Sequence, residues 1–249
     1  MKGLAGGIVL WLLLVLPAGA GPPALCLNTF AGPPLSTPEQ TGFYDRVLRT
    51  AFDRIGVPVT IGHLPAERSL ANANRGIDDG DFPRVAGLEP LYPNLVMVPE
   101  KLDDFDFVVF TRGLRLDPVD WSALQPYHVA IVRGWKILEG HLAGVRQLTR
   151  VKNQEQLFLL LKNDRVDAVV YACKEGCGLV RQLGIDDAVV LMPPLAMRPM
   201  HIYLHKKHAG LVAPLAAALR AMKTDGTYRA ISQQALEPFL PKELSGARP

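Results

Sequence analysis

The sequence has few cysteines, no clustered charge of one sign and no internal repeat, and each absence excludes a class of protein. Three cysteines in 249 residues allow at most one disulfide within the chain, so a small disulfide-stapled scaffold is excluded. The formal net charge is only +3 and the basic residues are scattered, so we do not expect a nucleic acid partner. The chain also has no G-x-S-x-G nucleophile turn and no G-x-x-x-x-G-K-S/T phosphate loop, and we expect no cofactor.

One long apolar run is present, and it lies at the N-terminus. Lys2 precedes an uncharged stretch over residues 4–16, and Ala18-Gly19-Ala20 follows as a small-residue cleavage site. This order of segments is typical of a secretory signal peptide. Pro17 and the glycines after it end the apolar stretch before it reaches the roughly 20 residues that a membrane span needs. We therefore expect cleavage after Ala20 and a periplasmic protein, with an uncleaved membrane anchor as the alternative.

The remainder of the chain is long enough for one large α/β domain or for two lobes of ordinary size. Its first part alternates short apolar runs with segments of helical periodicity. The predicted strands cover residues 25–28, 57–61 and 82–88, and the predicted helices cover 43–55, with Thr41 as a possible N-cap, and 66–74. Strands that alternate with helices at this spacing predict a parallel sheet whose faces are covered.

The second part repeats this alternation. The predicted strands cover residues 129–132, 168–171, 188–192 and 201–204, and the predicted helices cover 135–141, 154–162, 178–183, 211–222 and 227–236. The segment 107–117 connects the first unit to the second. Two α/β units of similar size in one chain predict two lobes with a cleft between them.

Several short motifs, in a fixed order over nearly the whole chain after the leader, resemble those of a known family. They are Pro33-Pro34 before Gly42-Phe43-Tyr44-Asp45, the helix–glycine–strand turn around Asp79, the segment 165–170, and the segment 221–228. In this respect the chain is similar to the family-3 extracellular solute-binding proteins, the periplasmic binding proteins of polar amino acid transport.

The resemblance implies an α/β fold of two lobes, the periplasmic-binding-protein-like type II fold, in which each lobe is a mainly parallel sheet flanked by helices. It places lobe 1 at residues 25–110 and 201–249. Lobe 2 then covers residues 111–200, with hinge segments at its ends. It also implies closure of the two lobes around a ligand, and we expect a monomer.

The chain departs from this family where amino acid binders are most diagnostic. Those proteins usually carry a Thr-x-x-Arg stretch after a lobe 1 strand, and the corresponding segment 88–94 contains no arginine here. They also tend to place an aspartate after a lobe 2 strand, where it holds the ligand ammonium, and Ala172 stands at that position. The resemblance therefore implies a ligand cleft but not an amino acid as its ligand.

The candidate ligand-binding residues are Arg68, Arg84, Arg133, Trp135 and Tyr171. Arg84 lies towards the C-terminal end of a lobe 1 strand, where α/β sheets open onto their crevice, and its guanidinium could hold a carboxylate through two hydrogen bonds. An ion pair of Arg84 with Asp81 or Glu89 is the alternative. Arg68 lies in the first turn of its helix and either contacts an anion or pairs with neighbouring Glu67.

Three further candidates lie in lobe 2. Arg133 follows a predicted strand, so we expect it at the cleft, where the start of the next helix would add backbone donors. Trp135 either stacks on a ligand or packs as core. Tyr171 ends a buried strand and either faces the cleft or fills the sheet packing.

The motifs thus favour an exported protein that captures a small polar ligand, anionic or zwitterionic, and delivers it to a membrane transporter. A periplasmic receptor for a membrane signalling partner is one alternative. A cleft enzyme of the same fold, similar to periplasmic dehydratases, is another, although the nearby carboxylates show no recognisable catalytic spacing: Glu67, Asp81, Glu89 and Glu175. A metal-binding protein is the third, because of His201, His205 and His208, but a solvated strand end explains them as well and we expect no metal site.

The cysteines leave one pairing open. Cys173 and Cys177 are four residues apart, and in an oxidising compartment they either form a disulfide or remain thiols. Cys26 is then expected to be a buried free thiol.

Overall fold

The computed structural model describes residues 24–117 and 119–240, so the expected signal peptide lies outside the described residues. The strands are β1 (Leu25–Thr29), β2 (Val59–His63), β3 (Gly80–Arg84), β4 (Leu95–Met97), β5 (Asp103–Thr111), β6 (His128–Val132), β7 (Gln147–Val151), β8 (Ala168–Ala172) and β9 (Val189–His205). The helices are α1 (Phe43–Arg54), α2 (Ala66–Arg75), α3 (Lys136–His141), α4 (Gln154–Lys162), α5 (Cys173–Gln182), α6 (Val212–Thr224) and α7 (Thr227–Leu236). Short 3-10 helices cover Ser122–Leu124 and Lys206–Leu211.

The strands form one continuous sheet in the order β2-β1-β3-β9-β5-β8-β6-β7, with β4 also paired to β9. β9 is 17 residues long, and it pairs with β3 and β4 through its C-terminal end and with β5 through the rest of its length. The sheet therefore divides into a lobe 1 part, β1 to β4 with the end of β9, and a lobe 2 part, β6 to β8, which β5 and β9 join. The expected two-lobed α/β fold is confirmed, whereas the exact residue limits of the lobes remain predictions.

Within each lobe the strands that do not cross between lobes run parallel, as expected. β1 is parallel to β2 and β3, and β6 is parallel to β7 and β8. The crossing strands add antiparallel pairs, β3 with β9 and β5 with β8. The register between β5 and β9 shifts between Phe107 and Val109, and an irregularity of this kind lets a strand pair bend.

The strand registers show which end of each strand faces the other lobe. In lobe 1, Arg84 at the C-terminal end of β3 pairs with His201, the part of β9 nearest to lobe 2. In lobe 2, Ala172 at the C-terminal end of β8 pairs with Phe107, towards the part of β5 nearest to lobe 1. Because β1 and β6 are parallel to these strands, the C-terminal ends of all four strands face the cleft between the lobes, as expected for α/β sheets.

The start of α1 shows how local sequence fixes lobe 1. Its N-cap is Gly42 and not Thr41, so that part of the prediction is wrong. Asp45 accepts the backbone N–H of Gly42 at 2.9 Å and that of Thr37 at 2.9 Å. A Cβ at position 42 would lie 2.6 Å from the carbonyl oxygen of Leu35, so only glycine fits at this cap.

Other boundaries differ from the sequence expectation for physical reasons. The predicted strands 188–192 and 201–204 are one strand, because residues 196–200 between them also pair with β5. Pro193 and Pro194 lie in the short stretch at the register shift, which does not pair with β5. The predicted strand 82–88 is β3 and ends at Arg84. α5 begins at Cys173, five residues before the predicted start. The strands β4, β5 and β7 were not expected, and β5 includes the start of the segment 107–117, which was expected only as a connection.

A large hydrophobic core continues through both lobes, and a second, smaller cluster lies in lobe 1 around Leu70, Leu95 and Tyr203. In lobe 1 the large core includes Phe43 and Phe52 of α1, and in lobe 2 it includes Phe110 and Phe158, whose rings meet edge to face at 5.0 Å. Among the described residues, no helix combines the length and apolar character that a membrane crossing requires. The large core therefore extends from one lobe to the other along the shared sheet.

Candidate functional site between the lobes

Arg84 ends β3 at the lobe 1 edge of the cleft and is only 9% exposed. Its Nε donates to Asp81 Oδ2 at 2.8 Å, and its Nη2 donates to the carbonyl of Ala66 at 2.8 Å. The guanidinium carbon lies 4.6 Å above the ring of Phe30, which follows β1. Among the described residues Nη1 has no hydrogen-bond partner. The expected alternative, an ion pair with Asp81, is thus present, and it leaves Nη1 of the guanidinium available.

Asp81 is completely buried beneath Arg84 and also accepts a hydrogen bond of 2.9 Å from Ser69 Oγ. Burial raises the pKa of Asp81 to about 6, although Arg84 and Ser69 act in the opposite direction. The carboxyl is therefore mainly ionised at neutral pH. A charged, hydrogen-bonded pair under the cleft edge fixes the orientation of the guanidinium.

Arg68 lies in the first turn of α2 and is exposed, with no ion pair among the described residues. The neighbouring Glu67 lies instead 3.4 Å from the hydroxyl of Tyr92, so the Glu67 partner considered for Arg68 is not formed. Because Ala66, at the start of α2, accepts the hydrogen bond from Arg84, Arg68 lies two residues from the Arg84 site. The structure therefore brings Arg68 and Arg84 to the same edge of lobe 1.

Trp135 and Tyr171 form a stack at the lobe 2 edge, with ring centroids 4.8 Å apart and an interplanar angle of 20°. The Trp135 ring also meets Phe107 edge to face at 5.4 Å. Tyr171 is 5% exposed, and burial raises its pKa well above the usual value. Tyr171 thus packs as core, whereas the half-buried Trp135 lies between that core and the cleft.

Arg133 directly follows β6 and is exposed. Its backbone N–H donates to the carbonyl of Val151 at 3.0 Å, and its side chain forms no ion pair among the described residues. The backbone N–H of Gly134 is used by Glu139 Oε1 at 2.9 Å, and α3 has only six residues. The backbone N–H groups of Arg133 and Gly134 are therefore not offered to a ligand, and Arg133 is available through its side chain alone.

Sequence reasoning missed a direct contact between α5 of lobe 2 and lobe 1. Glu175 is 5% exposed, and its Oε2 has no hydrogen-bond partner among the described residues. Burial raises the pKa of Glu175 to about 7 and Asp103 adds to that, while a hydrogen bond from the backbone N–H of Gly32 and the charge of Lys174 oppose it. The charged pair Lys174-Glu175 directly after a buried strand was the signal in the sequence that could have indicated this contact.

Lys174 and Gly178 extend the same contact along α5. Lys174 Nζ is hydrogen-bonded to Asp103 Oδ1, and the other oxygen of Asp103 accepts from the Tyr44 hydroxyl at 3.0 Å. A Cβ at Gly178 would lie 2.6 Å from Pro34 Cδ. Glycine at position 178 therefore allows α5 to approach the loop that follows β1 in lobe 1.

The three cysteines are free in the structure. Cys173 and Cys177 lie one turn apart in α5, and the hydrogen bond between them lowers the pKa of Cys173 and raises that of Cys177. Residues at this spacing in a helix have Cβ atoms about 5–6 Å apart, whereas a disulfide requires about 3.5–4.5 Å. A bridge would therefore need the first turn of α5 to deform. Cys26 is half-buried and not buried as expected, because it lies in β1 next to the edge strand β2.

The histidines considered for a metal site have separate partners. His201 Nδ1 lies 3.0 Å from the carbonyl of Val98, His205 Nδ1 accepts the N–H of Lys207, and His208 Nε2 lies 2.7 Å from Asp79 Oδ1. Among the described residues no three metal-ligating side chains come together. These histidines therefore stabilise lobe 1 locally.

An open groove of about 540 Å³ lies outside the cleft, along α4. Its lining is Val151, Gln156, Leu159, Leu160, Asn163 and Arg165. None of the candidate ligand-binding residues contributes to it. The groove is mostly apolar and shallow, so it lacks the converging polar groups that orient a small ligand.

No protein-family model matches the chain. An uncharacterised protein of Shewanella oneidensis is 26% identical over 198 residues, which cover 76% of this chain and 74% of that protein. Because this relative is itself uncharacterised, the similarity points to no activity.

Solved structures share the fold. The GluR0 ligand-binding core in complex with L-glutamate superimposes with a TM-score of 0.74 at 14% identity, covering 87% of this chain and all of that chain. A histidine kinase sensor domain with similarity to periplasmic binding proteins gives 0.70 at 16% identity, covering 86% and 96%. The substrate-binding protein of an amino acid ABC transporter gives 0.67 at 14% identity, covering 86% and 100%. The chain therefore has the two-lobed periplasmic-binding-protein-like fold.

Proposed function

We propose that the protein is an exported solute-binding protein that closes its two lobes around a small polar ligand, anionic or zwitterionic, and delivers it to a membrane transporter. One observation carries this proposal: Arg84 is held at the cleft edge by Asp81 and the carbonyl of Ala66, and its Nη1 has no partner among the described residues. A preorganised guanidinium with a remaining donor is suited to a carboxylate or a similar anion.

Binding is a better explanation of the cleft than catalysis. A dehydratase-like enzyme needs an acid or base placed to exchange a proton with its substrate. Asp81 is engaged with Arg84 and Ser69 beneath the cleft edge, and Glu175 is covered by the loop at Gly32. We propose that these carboxyl groups position other groups and do not act on a substrate.

A receptor role is the second candidate, because a sensor domain of a histidine kinase and a transporter binding protein share this fold. The two roles differ in the event that ligand binding triggers at the membrane. Deletion of the gene should abolish uptake of the radiolabelled ligand if the protein feeds a transporter. Unchanged uptake with loss of the transcriptional response to the ligand would favour the receptor instead.

The ligand itself can be found by thermal unfolding of the mature protein with amino acids, organic acids and amines. A ligand that binds only the folded protein stabilises it by about 2.7 kcal/mol at a hundredfold excess over Kd. We expect at least one anionic or zwitterionic compound to raise the Tm. A panel without any stabilising compound, together with turnover of one of them, would contradict the proposal.

Arg84→Ala should weaken that ligand by about 1.5–3 kcal/mol, which corresponds to the loss of a charge-assisted hydrogen bond. Titration calorimetry of the variant measures the change. Arg75→Ala is the matched control, because Arg75 is exposed at the other end of α2, away from the cleft. Since Arg84→Ala leaves Asp81 buried without its partner, Arg84→Ala/Asp81→Asn is the second variant. Equal affinity in the double variant and the wild type would remove Arg84 from the site.

A further inference from the structure

We infer that the ligand carries a second anionic group, which Arg133 of lobe 2 binds while Arg84 of lobe 1 binds the first. This inference rests on the proposed function, since it requires a ligand in the cleft. The class of ligand is then a small organic dianion, such as a dicarboxylate, that spans from one lobe to the other.

The lobe 2 edge offers no available carboxylate for a cationic group. The cleft-facing end of β8 is Ala172, which has no polar side chain, and Glu175 beyond it is buried under the Gly32 loop. Glu139 accepts the backbone N–H of Gly134, and Asp106 of β5 is also engaged in an interaction. Among the described residues of this edge, an ammonium group would therefore find only acids that already have another role.

The same edge presents a cation whose charge is not compensated. Arg133 is exposed and forms no ion pair among the described residues, while its main chain is fixed by the bond to Val151 at the end of β7. Gly134 follows with a φ of +96°, a conformation that turns the chain directly after Arg133 and that glycine adopts without strain. A flexible guanidinium on a fixed base can reach a carboxylate that arrives with lobe closure.

Trp135 adds an apolar surface next to this cation. Its ring is anchored on Tyr171 and Phe107, yet the side chain as a whole is only half-buried. An aromatic ring of this kind favours the hydrocarbon part of a ligand. The cleft thus combines an arginine on each lobe with an apolar wall, which matches two charged ends joined by a short carbon chain.

Lobe 1 differs from lobe 2 in its carboxylates: Glu67 lies in α2 and Glu89 lies in the loop after β3. A ligand amino group could therefore be accepted beside the Arg84 site. The inference concerns the second anionic group and not the amino group, and paired probes with and without an amino group separate the two.

The test uses two pairs of compounds that differ only in the second charge: glutarate with butyrate, and L-glutamate with L-glutamine. We expect the wild-type protein to bind the dianion of at least one pair about ten- to a hundredfold more tightly than its partner. Arg133→Ala should remove this preference while leaving the affinity for the monoanion almost unchanged. Arg165→Ala is the matched control, since Arg165 is exposed between α4 and β8, away from the cleft-facing end of that strand, and it should keep the preference.

Equal affinities within both pairs would overturn the inference, and so would a preference that survives in Arg133→Ala. Either of these two results, together with a clear response to another anion or zwitterion, would overturn only the inference and leave the proposed function standing. Absence of any response to the wider panel of amino acids, organic acids and amines would instead contradict the proposed function. Raising the salt concentration gives an independent readout, because the preference for the dianion should fall as charges are screened.

Discussion

At the scale of single residues, Arg84 shows how one side chain can be part of the fold and still be available to a ligand. Two of its three nitrogens are hydrogen-bonded to Asp81 and Ala66, and its flat face covers Phe30. A guanidinium carries five donors in a fixed plane, so those bonds do not exhaust it. The ion pair with Asp81, which the sequence leaves as the alternative to a ligand contact, is therefore compatible with the proposed ligand contact through Nη1.

Gly176 is a residue where the absence of a side chain determines packing. A Cβ at this position would lie 2.2 Å from the ring of Phe110. Gly176→Ala should therefore lower the free energy of unfolding by about 1–3 kcal/mol, as overpacking of a core does, although alanine favours a helix over glycine. Urea unfolding followed by circular dichroism measures the change.

The control for this prediction is Gly140→Ala. Gly140 lies in α3 and has no atom within 4 Å of the site of a Cβ. The alanine should leave stability unchanged or raise it by up to about 1 kcal/mol through helix propensity. A Gly176→Ala variant as stable as Gly140→Ala would refute the packing argument.

At the scale of secondary structure elements, α5 joins the two lobes outside the sheet. Four parts of it contact lobe 1: Lys174 reaches Asp103, Glu175 meets Gly32, Gly178 packs on Pro34, and Arg181 donates to the carbonyl of Pro238. A helix with two glycines would be weak in isolation. These contacts with lobe 1 therefore contribute to its stability in the folded protein.

Lys174→Met tests the polar part of this contact. The lysine is the cationic partner of Asp103, which is 6% exposed and retains a hydrogen bond of 3.0 Å from Tyr44, whereas the Tyr228 hydroxyl is closer to the carbonyl of Leu102. Loss of one partner of a buried pair costs about 3–5 kcal/mol, and the remaining hydrogen bond from Tyr44 should reduce this to about 1–3 kcal/mol. Chemical denaturation at neutral pH measures the difference.

Lys101→Met is the matched comparison. Lys101 pairs with Asp104 at the protein surface, where 48% of the lysine side chain and 36% of the aspartate side chain are exposed. Exposed pairs contribute about 0–1 kcal/mol, so this variant should be nearly as stable as the wild type. Similar losses from the two lysines would show that burial of Asp103 has no special effect.

The elements that could be predicted from the sequence are those whose pattern is local. α1 and α4 follow from apolar residues at helical spacing, and β6 and β8 follow from continuous apolar runs. The sequence pattern divides β9 into two strands because prolines normally end a strand. The pairing of β9 with β5 and with lobe 1 involves residues far apart in the chain, which no local pattern contains.

The candidate site likewise has a part that could be predicted from the sequence and a part that could not. Arg84 and Arg133 could be placed at the cleft because each follows or ends a recognisable strand. The stack of Trp135 on Tyr171 and the contact of Glu175 with Gly32 depend on how distant segments pack. The sequence therefore identifies the residues at strand ends, whereas their partners emerge only from the fold.

At the scale of the whole molecule, the continuous sheet couples the lobes while leaving them a way to move. In the described part of the chain, β5 and β9 are the strands that cross between them, and the register of this pair shifts between Phe107 and Val109. Closure around a ligand in such folds occurs by bending of a few residues in the connecting segments. Because α5 belongs to lobe 2 and packs on lobe 1, the burial of this contact depends on how the two lobes are placed relative to each other.

Glu175 makes the stability of the whole protein depend on pH. Burial raises its pKa to about 7 from an ordinary value of 4.5, so the folded protein favours the protonated form. The stabilising effect of this proton is fully present below about pH 4.5 and is lost as the pH rises through about 7. The loss is on the order of 3 kcal/mol, from about 1.4 kcal/mol for each unit of the shift.

Glu175→Gln isolates this effect because the amide resembles the protonated carboxyl. Relative to the wild type, the variant should have nearly the same free energy of unfolding at about pH 4 and a higher one at about pH 8, measured by urea denaturation at both values. The charged groups that face Glu175, Asp103 and Lys174, are the same in both proteins, and Tyr44 and Tyr171, whose pKa values burial raises, stay protonated.

Glu155→Gln, at an exposed position of α4, is the control for the loss of one carboxylate. It should follow the wild type at both pH values, because position 155 is exposed and the substitution changes no buried group. If Glu175→Gln also follows the wild type, the buried carboxyl does not control the pH dependence, and the contact between α5 and Gly32 must be solvated.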